Sequence, residues 1–524
     1  MSFETEKKGL AGIIAASSVG TLIEWYDFYI FGSLATVIST KFFPAGNQTA
    51  ALLSTLATFA AGFVVRPFGA LFFGRLGDLV GRKYTFLLTL VLMGLSTFLI
   101  GCIPSYESIG FVAPMLVLIL RLLQGLALGG EYGGAATYVA EHSPTERRGF
   151  WTSWIQTTAT IGLFVSLLVI IATKSLMSEY DFNEWGWRVP FWISIIMVAI
   201  SVLIRMRMKE SPLFAKAKAE GNTSTNPLKE SFGHRLNFKY VLLALFGATM
   251  GQGVVWYTGQ FYALSFIQNT LNIEIGQASR LIMYSLAFAT PFFVIFGYLS
   301  DHIGRKWIML TGMLLAIIFY RPIYSAMYDA GSTSHKTEIA AHSSTTVVMN
   351  PVHQSPGDSI RTSTFIRIYS DGTKSKETRE ELVSAKKMAS STAPGVMVHK
   401  NVELDDASFW SLVWLVFAQV VFVTMVYGPI AAFLVEMFPV KIRYTSMSLP
   451  YHIGNGIFGG LLPAIATFLA TRAAQVNDAA AKAGTELPYD RPYLEGLWYP
   501  IIIAGVSLVI GVLYIDGNDN RIDD

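Results

Sequence analysis

Five ionisable residues stand inside long apolar runs: Glu24 and Asp27 in the first, Arg66 in the second, and Arg121 and Glu131 in the fourth. A charge in such surroundings is costly unless it is paired or hydrated, so each needs a reason to be there. A buried acid beside a buried base can trade protons. Arginine stays charged and favours the ionised carboxylate, whereas drawing it away favours the protonated acid. At about 1.5 Å per residue, Asp27 lies roughly 24 Å from one end of its run and Arg121 roughly 12 Å from the opposite end of its own, similar levels in a ~30 Å apolar layer. Asp27 and Arg121 are therefore expected to face one another, either as a proton-coupling pair or as a fixed ion pair that only tethers two helices. Arg66 and Glu131, each roughly 10–15 Å from the other face, form a second candidate pair, although Arg66 has the option of snorkelling. Glu24 lies one turn before Asp27 and is an alternative proton carrier.

Polar and amphipathic side chains recur in the same runs. Gln252, Trp256, Tyr257 and Gln260 follow one another at near-helical spacing in the seventh run, and Tyr451, His452 and Asn455 stand in the eleventh. With Trp25, Tyr26, Gln124 and Gln156 they are candidates to line a central cavity or to bond helix to helix.

The elements that must position these residues are membrane helices. Of 524 residues, 52% are hydrophobic and 14% charged, and the mean hydropathy is +0.46. Apolar runs of about 20 residues lack period-2 alternation, so they read as helices rather than barrel strands. Twelve spans are expected, near 11–38, 50–73, 84–103, 112–140, 150–172, 189–206, 240–268, 278–299, 307–324, 409–435, 446–470 and 495–515. The first holds Glu24 and Asp27 and is too long for a cleaved signal, so it reads as retained. Cys102, the sole cysteine, excludes an internal disulfide. With the N-terminus inside, cytoplasmic segments collect about 20 Lys and Arg against about 7 in the short outer loops, which puts both termini in the cytoplasm.

The chain also repeats itself. Gly74-Arg-Leu-Gly-Asp-Leu-Val-Gly-Arg-Lys83 follows the second span, and Gly297-Tyr-Leu-Ser-Asp-His-Ile-Gly-Arg-Lys306 follows the eighth. Glu141-x-x-Pro144-x-x-Arg147-Arg148 closes the fourth span, and Glu436-x-x-Pro439-x-Lys441-x-Arg443 closes the tenth. Two six-span halves with matching punctuation are implied. Asp78, Arg82, Glu141, Arg147 and Arg148, repeated as Asp301, Arg305, Glu436 and Arg443, fall at the wet membrane edge. Ion pairs there are cheap to make and break and suit a gate. Asp78 to Glu141 is 63 residues but Asp301 to Glu436 is 135, a surplus of 72 that falls near 325–407. This outer stretch reads either as a small β-rich module or as an unstructured loop. The expected units are a six-helix bundle over 1–206, a basic cytoplasmic linker over 207–239, helices seven to nine over 240–324, the insertion over 325–407, and helices ten to twelve with a tail over 408–524.

The loop motif G-x-L-x-D-x-x-G-R-K resembles that of the major facilitator superfamily. A narrower resemblance, to its metabolite:proton symporter family, rests on Glu24-Trp-Tyr-Asp-Phe28, Arg66-Pro67, Arg121-x-x-Gln124-Gly125, Gly129-Gly-Glu-Tyr-Gly-Gly134, Gly186-Trp-Arg-Val-Pro-Phe191, Glu210-Ser-Pro-x-Phe214 and Arg443-Tyr444. The resemblance covers nearly the whole chain outside the insertion and the tail. It implies an all-α membrane protein of twelve helices in two pseudo-symmetric halves. It also implies a transporter that moves a dicarboxylate, citrate, 2-oxoglutarate, shikimate, proline or betaine with protons, without a cofactor, as a monomer in the inner membrane. In related sugar–proton symporters an analogous Asp and Arg form the coupling pair.

No H-E-x-x-H, G-x-S-x-G or Walker loop is present, so an enzyme is not expected. Gly454-Asn-Gly456-Ile-Phe-Gly459 fits a dinucleotide fingerprint but lies in a span without a βαβ unit. The expected partners are a small metabolite, protons and lipid, with no metal and no nucleic acid. A non-transporting sensor of the same fold and an uncoupled facilitator remain the rival readings.

Overall fold

A computed structural model describes residues 18, 21–23, 25–44, 48–80, 82–130, 132–206, 229, 232–351, 358–384, 397–438 and 443–515. Glu24 and Glu131 lie outside these residues, and so do the side chains of Asp78, Arg82, Glu141 and Arg443. Twelve long helices can be traced among the described residues. They are α1 (21–23 and 25–33, on through Ala35–Phe42), α2 (Gln48–Val64 and Arg66–Val80), α3 (Arg82–Ile100), α4 (Val112–Gly129 and Tyr132–His142), α5 (Arg148–Ser175) and α6 (Val189–Met206). After the linker come α7 (Arg235–Thr270), α8 (Ile275–Ile303), α9 (Arg305–Gly331), α10 (Asp406–Met437), α11 (Thr445–Ala483) and α12 (Pro492–Tyr514). Ten helices are long and apolar enough to cross a membrane, and α3 contributes the shorter apolar stretch Leu87–Ile100. Large apolar side chains such as Phe68, Phe72, Ile196, Leu203, Ile502 and Leu513 stay exposed on the helix surfaces, as a lipid-facing belt requires.

Several helices outrun their expected bounds, α9 and α11 among them. α9 reaches Gly331 rather than 324, and α11 reaches Ala483 rather than 470. The second excess is a matter of propensity. Residues 473–483 are alanine-rich, so the helix continues after its hydrophobicity fades and stops at the left-handed cap Gly484 (φ 66°). Helix α7 is wound wider at three places, with π-helical turns at Leu245–Thr249, Thr258–Tyr262 and Phe266–Thr270, and α11 has another at Gly454–Gly459. Such turns re-aim side chains and are common beside functional sites. Gly125 and Gly129 carry α4 so close to α2 that a Cβ at either would collide with the carbonyl of Gly62 or Arg66.

The stretch between α9 and α10 holds a four-stranded antiparallel meander: β1 (Ser344–Pro351), β2 (Asp358–Ile368), β3 (Lys374–Ser384) and β4 (Met397–Glu403), in that spatial order. The Asp371-Gly372 turn joins β2 to β3, with Gly372 at φ 94°. Strand β4 docks on the α7–α8 loop, where Val402 N–H donates to Asn272 O (2.8 Å) and Glu274 N–H to Val402 O (3.0 Å). Lys336 ties the base of the sheet to α10 through Asp371 (2.6 Å) and Asp405 (3.4 Å). Asp405 in turn caps α10 by accepting from the N–H groups of Ala407 and Ser408.

Candidate functional site

The two halves meet along an aromatic seam. Trp25 and Tyr29 of α1 stack at 5.0 Å and lean on Trp256 of α7, 6.1 and 5.8 Å away. Phe63 of α2 meets Tyr257 edge-on at 5.0 Å, and Tyr132 of α4 lies flat on Tyr451 of α11 at 3.6 Å. Gln260 Nε2 reaches across to the Thr160 hydroxyl (3.2 Å), and Gln156 Nε2 donates to the Tyr132 hydroxyl (2.7 Å). Trp25, Gln156, Trp256, Tyr257, Gln260 and Tyr451 are thus brought together at the interface.

Four other cavity candidates face elsewhere. The Tyr26 hydroxyl donates to Pro190 O (3.0 Å) and ties α1 to α6 inside the first bundle. Gln124 is fully buried in that bundle, where its Nε2 donates to Asp27 O (3.0 Å) and the Thr97 hydroxyl (2.6 Å). Asn455 and Gln252 exchange two amide hydrogen bonds of 3.1 and 2.9 Å, which join α7 to α11. Each polar group here satisfies a neighbouring helix, the alternative that the spacing left open.

Arg66 sits at the seam, 1% exposed, with its guanidinium over Phe63 (4.0 Å), Phe28 (4.6 Å) and Trp25 (5.4 Å). Among the described residues, its Nε and Nη2 have no hydrogen-bond partner. Tyr29, Tyr257, Tyr427 and Tyr451 are near enough to interact with it electrostatically. The Tyr29 and Tyr257 hydroxyls, Trp256 Nε1, Gln156 Oε1, Gln260 Oε1 and both ring nitrogens of His452 are also buried without hydrogen-bond partners among the described residues. Orphaned polar atoms on α1, α5, α7 and α11, together with the Arg66 guanidinium on α2, form the chemistry of a polar or anionic ligand site. The expected Arg66–Glu131 pairing involves a residue outside the described set.

Asp27 and Arg121 are both fully buried, but they do not form the expected pair. Arg121 is turned toward α1 and α2 and rests on Phe28 (4.2 Å), Phe31 (4.7 Å) and Phe59 (4.8 Å). It donates to Phe59 O (3.3 Å) and to Gln124 Oε1. The Asp27 carboxylate instead packs over Gly94 of α3, where a Cβ would lie 3.2 Å from Oδ2, and neither of its oxygens has a hydrogen-bond partner among the described residues. Depth set the two residues level, but rotation about the helix axes separated them. The aromatic cage holds the Arg121 guanidinium, since cation–π contacts are worth about 0.5–2 kcal/mol each, although its Nε has no hydrogen-bond partner among the described residues. Gln124 bridges the two, touching Arg121 with its oxygen and the Asp27 backbone with its nitrogen.

At the end of the seam expected to be cytoplasmic, Asp301 of α8 reaches the other half. Its Oδ1 accepts from Gly149 N–H (2.8 Å) and its Oδ2 from Phe150 N–H (2.9 Å), so it caps α5. A Cβ at position 149 would stand 2.7 Å from the Asp301 carboxylate, so only glycine admits this approach. Arg305 holds Asp301 (3.1 Å) and grips Glu436 through two nitrogens (2.7 and 2.8 Å), and Arg148 adds a contact to Glu436 (3.4 Å). Of the expected gating residues, Arg148, Asp301, Arg305 and Glu436 come together, and Arg147 is exposed to one side.

The opposite end carries a latch that sequence reasoning missed. Lys174, ending α5, pairs with Glu274 in the α7–α8 loop, and Glu274 Oε2 also caps α8 by accepting from Gln277 N–H (2.7 Å). Burial pushes the Glu274 carboxyl up, but Lys174 and the Gly276 and Gln277 N–H groups outweigh it and hold the acid below its ordinary value. The only sequence signal was a lone Lys and a lone Glu at the outer ends of runs in different halves.

Residues 13–234 match the family model described as sugar (and other) transporter. The chain is 36% identical over 326 residues to the alpha-ketoglutarate permease of Escherichia coli K12, covering 62% of this chain and 74% of the relative. It is 33% identical over 323 residues to the citrate-proton symporter of Klebsiella pneumoniae, covering 61% of this chain and 71% of the relative. Its fold is similar to that of the xylose transporter XylE from E. coli in a partially occluded inward open conformation, with a TM-score of 0.62 at 15% identity over 97% of this chain and 98% of that one.

Proposed function

The chain belongs to the major facilitator superfamily, among its metabolite transporters, and on that premise we propose that it is a secondary active transporter of the inner membrane that carries a small polar metabolite together with a proton. One observation carries this reading. Among the described residues, partnerless polar atoms lie with Arg66 along the interface, while one end of that interface is closed by Lys174–Glu274 and the other by Arg148–Glu436 and the Asp301 cap on α5, contacts that can part. Opening one end at a time exposes the centre to one side at a time, which is alternating access.

The substrate class follows from the site and the relatives. Arg66 and the tyrosine and tryptophan donors suit a carboxylate, and the permease and symporter named above carry organic acids by their names. Asp27 is the proposed proton carrier. Its backbone carbonyl accepts from Gln124 of α4, which in turn accepts from Arg121, so a movement of α4 toward bound substrate alters the surroundings of the carboxylate. Protonation removes a charge that would otherwise cross the membrane.

Proteoliposomes containing the protein, loaded at pH 8 and diluted into pH 6 buffer with radiolabelled 2-oxoglutarate, citrate, proline or betaine, test the reading. Accumulation of one of these above equilibrium, abolished by an uncoupler, is the expected result. Equilibration that ignores the uncoupler identifies a facilitator, and absence of uptake of all four refutes the substrate class.

A further inference from the structure

A cavity of about 500 Å³ lies at the outer mouth, where the ends of α1 and α7 meet strands β3 and β4 of the inserted sheet. Cross-strand register pairs Lys376 with Asn401 and Thr378 with His399, so these four side chains share one face of the sheet, and all four line the cavity. The opposite wall is neutral and rich in hydrogen-bonding groups, with Thr36 and Ser39 from α1 and Gln268 and Asn269 from α7. Gln268 is 8% exposed. Its Oε1 accepts from the Thr36 hydroxyl (3.3 Å), and its Nε2 has no hydrogen-bond partner among the described residues.

The charge of this chamber is uneven. Lys376 and Lys400 contribute positive charge from the sheet, whereas Glu179 is the one carboxylate among the described lining residues. The Lys400 ammonium is taken up by the Thr333 hydroxyl (3.0 Å), but Lys376 is exposed and joins no ion pair among the described residues. A cation at the rim of a cleft with low-dielectric walls concentrates anions inside it. The volume suits a small metabolite. Below the chamber, the Thr36–Gln268 contact spans the two halves about 10 Å further out along α1 than Tyr29, between the chamber and the Arg66 seam.

We propose that this chamber is a second binding site, an antechamber in which a carboxylate-bearing metabolite is held by Lys376 and the donors of Gln268, Asn401 and Thr378 before the outer end of the interface opens. The proposal rests on the transport reading above. It assigns the inserted sheet a task, because two of the strands form the cationic wall.

Equilibrium dialysis of the full chain in nanodiscs with radiolabelled citrate and 2-oxoglutarate tests it, together with initial-rate uptake. Two molecules bound per chain are expected for the parent, with one lost in Lys376→Glu and the other in Arg66→Gln. In uptake, Lys376→Glu raises KM about tenfold, within the range for electrostatic focusing, with a change in kcat below twofold, and Lys376→Arg restores KM. The effect fades at high salt. A stoichiometry of one, or a KM indifferent to Lys376→Glu, overturns the antechamber and leaves transport intact. Absence of uptake by the parent refutes the transport reading instead, while the dialysis count still decides whether the chamber binds an anion.

Discussion

Replacing Asp301 with alanine removes both hydrogen bonds that cap α5 from the other half, together with the Asp301–Arg305 contact. Hydrogen bonds to a charged acceptor contribute about 1.5–3 kcal/mol each when water cannot replace them. Gly149 is buried but Phe150 is only half-buried, and water recovers part of the loss once the halves separate. A net destabilisation of the closed end by about 2–3 kcal/mol follows, roughly 30- to 160-fold in the open-to-closed ratio. Asp301→Asn keeps an acceptor and loses the charge, so about half that effect is expected. The assay is electron paramagnetic resonance distance measurement between labels at Arg147→Cys and His302→Cys, two exposed positions on opposite halves. The exposed Cys102 is first replaced by serine. The alanine variant should convert the short-distance population into a predominantly long one, with asparagine between. A distance distribution identical to the parent's would show that Asp301 does not hold this end closed.

Three further outcomes follow from the same geometry. Asp27→Asn should abolish accumulation driven by a pH gradient while leaving substrate exchange across proteoliposomes intact; undiminished accumulation would exclude Asp27 as the proton carrier. The Glu274 carboxyl is held below its ordinary value, so the outer latch is fully formed above about pH 4.3 and weakens only as pH falls through the depressed value. Labels across the outer mouth should accordingly report no opening between pH 8 and 5, whereas Glu274→Gln should open it at every pH. Burial raises the Asp405 carboxyl, but Ser408 and Lys336 outweigh it and hold it at about 2. Its cap and its anchor to the sheet persist above about pH 4 and fail toward pH 2, and Asp405→Ala should cost about 1 kcal/mol and speed hydrogen exchange in β2 to β4.

Sequence composition and periodicity determined the membrane helices, because an apolar run of sufficient length has few other destinations. The duplicated loop motifs marked Asp301, Arg305 and Glu436 as belonging together, since charge at the end of a span is visible in one dimension. The strand-like pieces and the Asp371-Gly372 turn within the insertion were legible for the same local reason, as was the surplus length that located it. What only the tertiary structure decided is which way each side chain faces. Depth along a helix can be counted, but the angle about its axis depends on packing, and π-helical turns in α7 and α11 shift that angle further. Asp27 was therefore counted level with Arg121 yet lies against Gly94, and Tyr26 and Gln124 turned into the first bundle. The Lys174–Glu274 latch and the docking of β4 beside it join residues 100 and more positions apart, and no local pattern encodes such a contact.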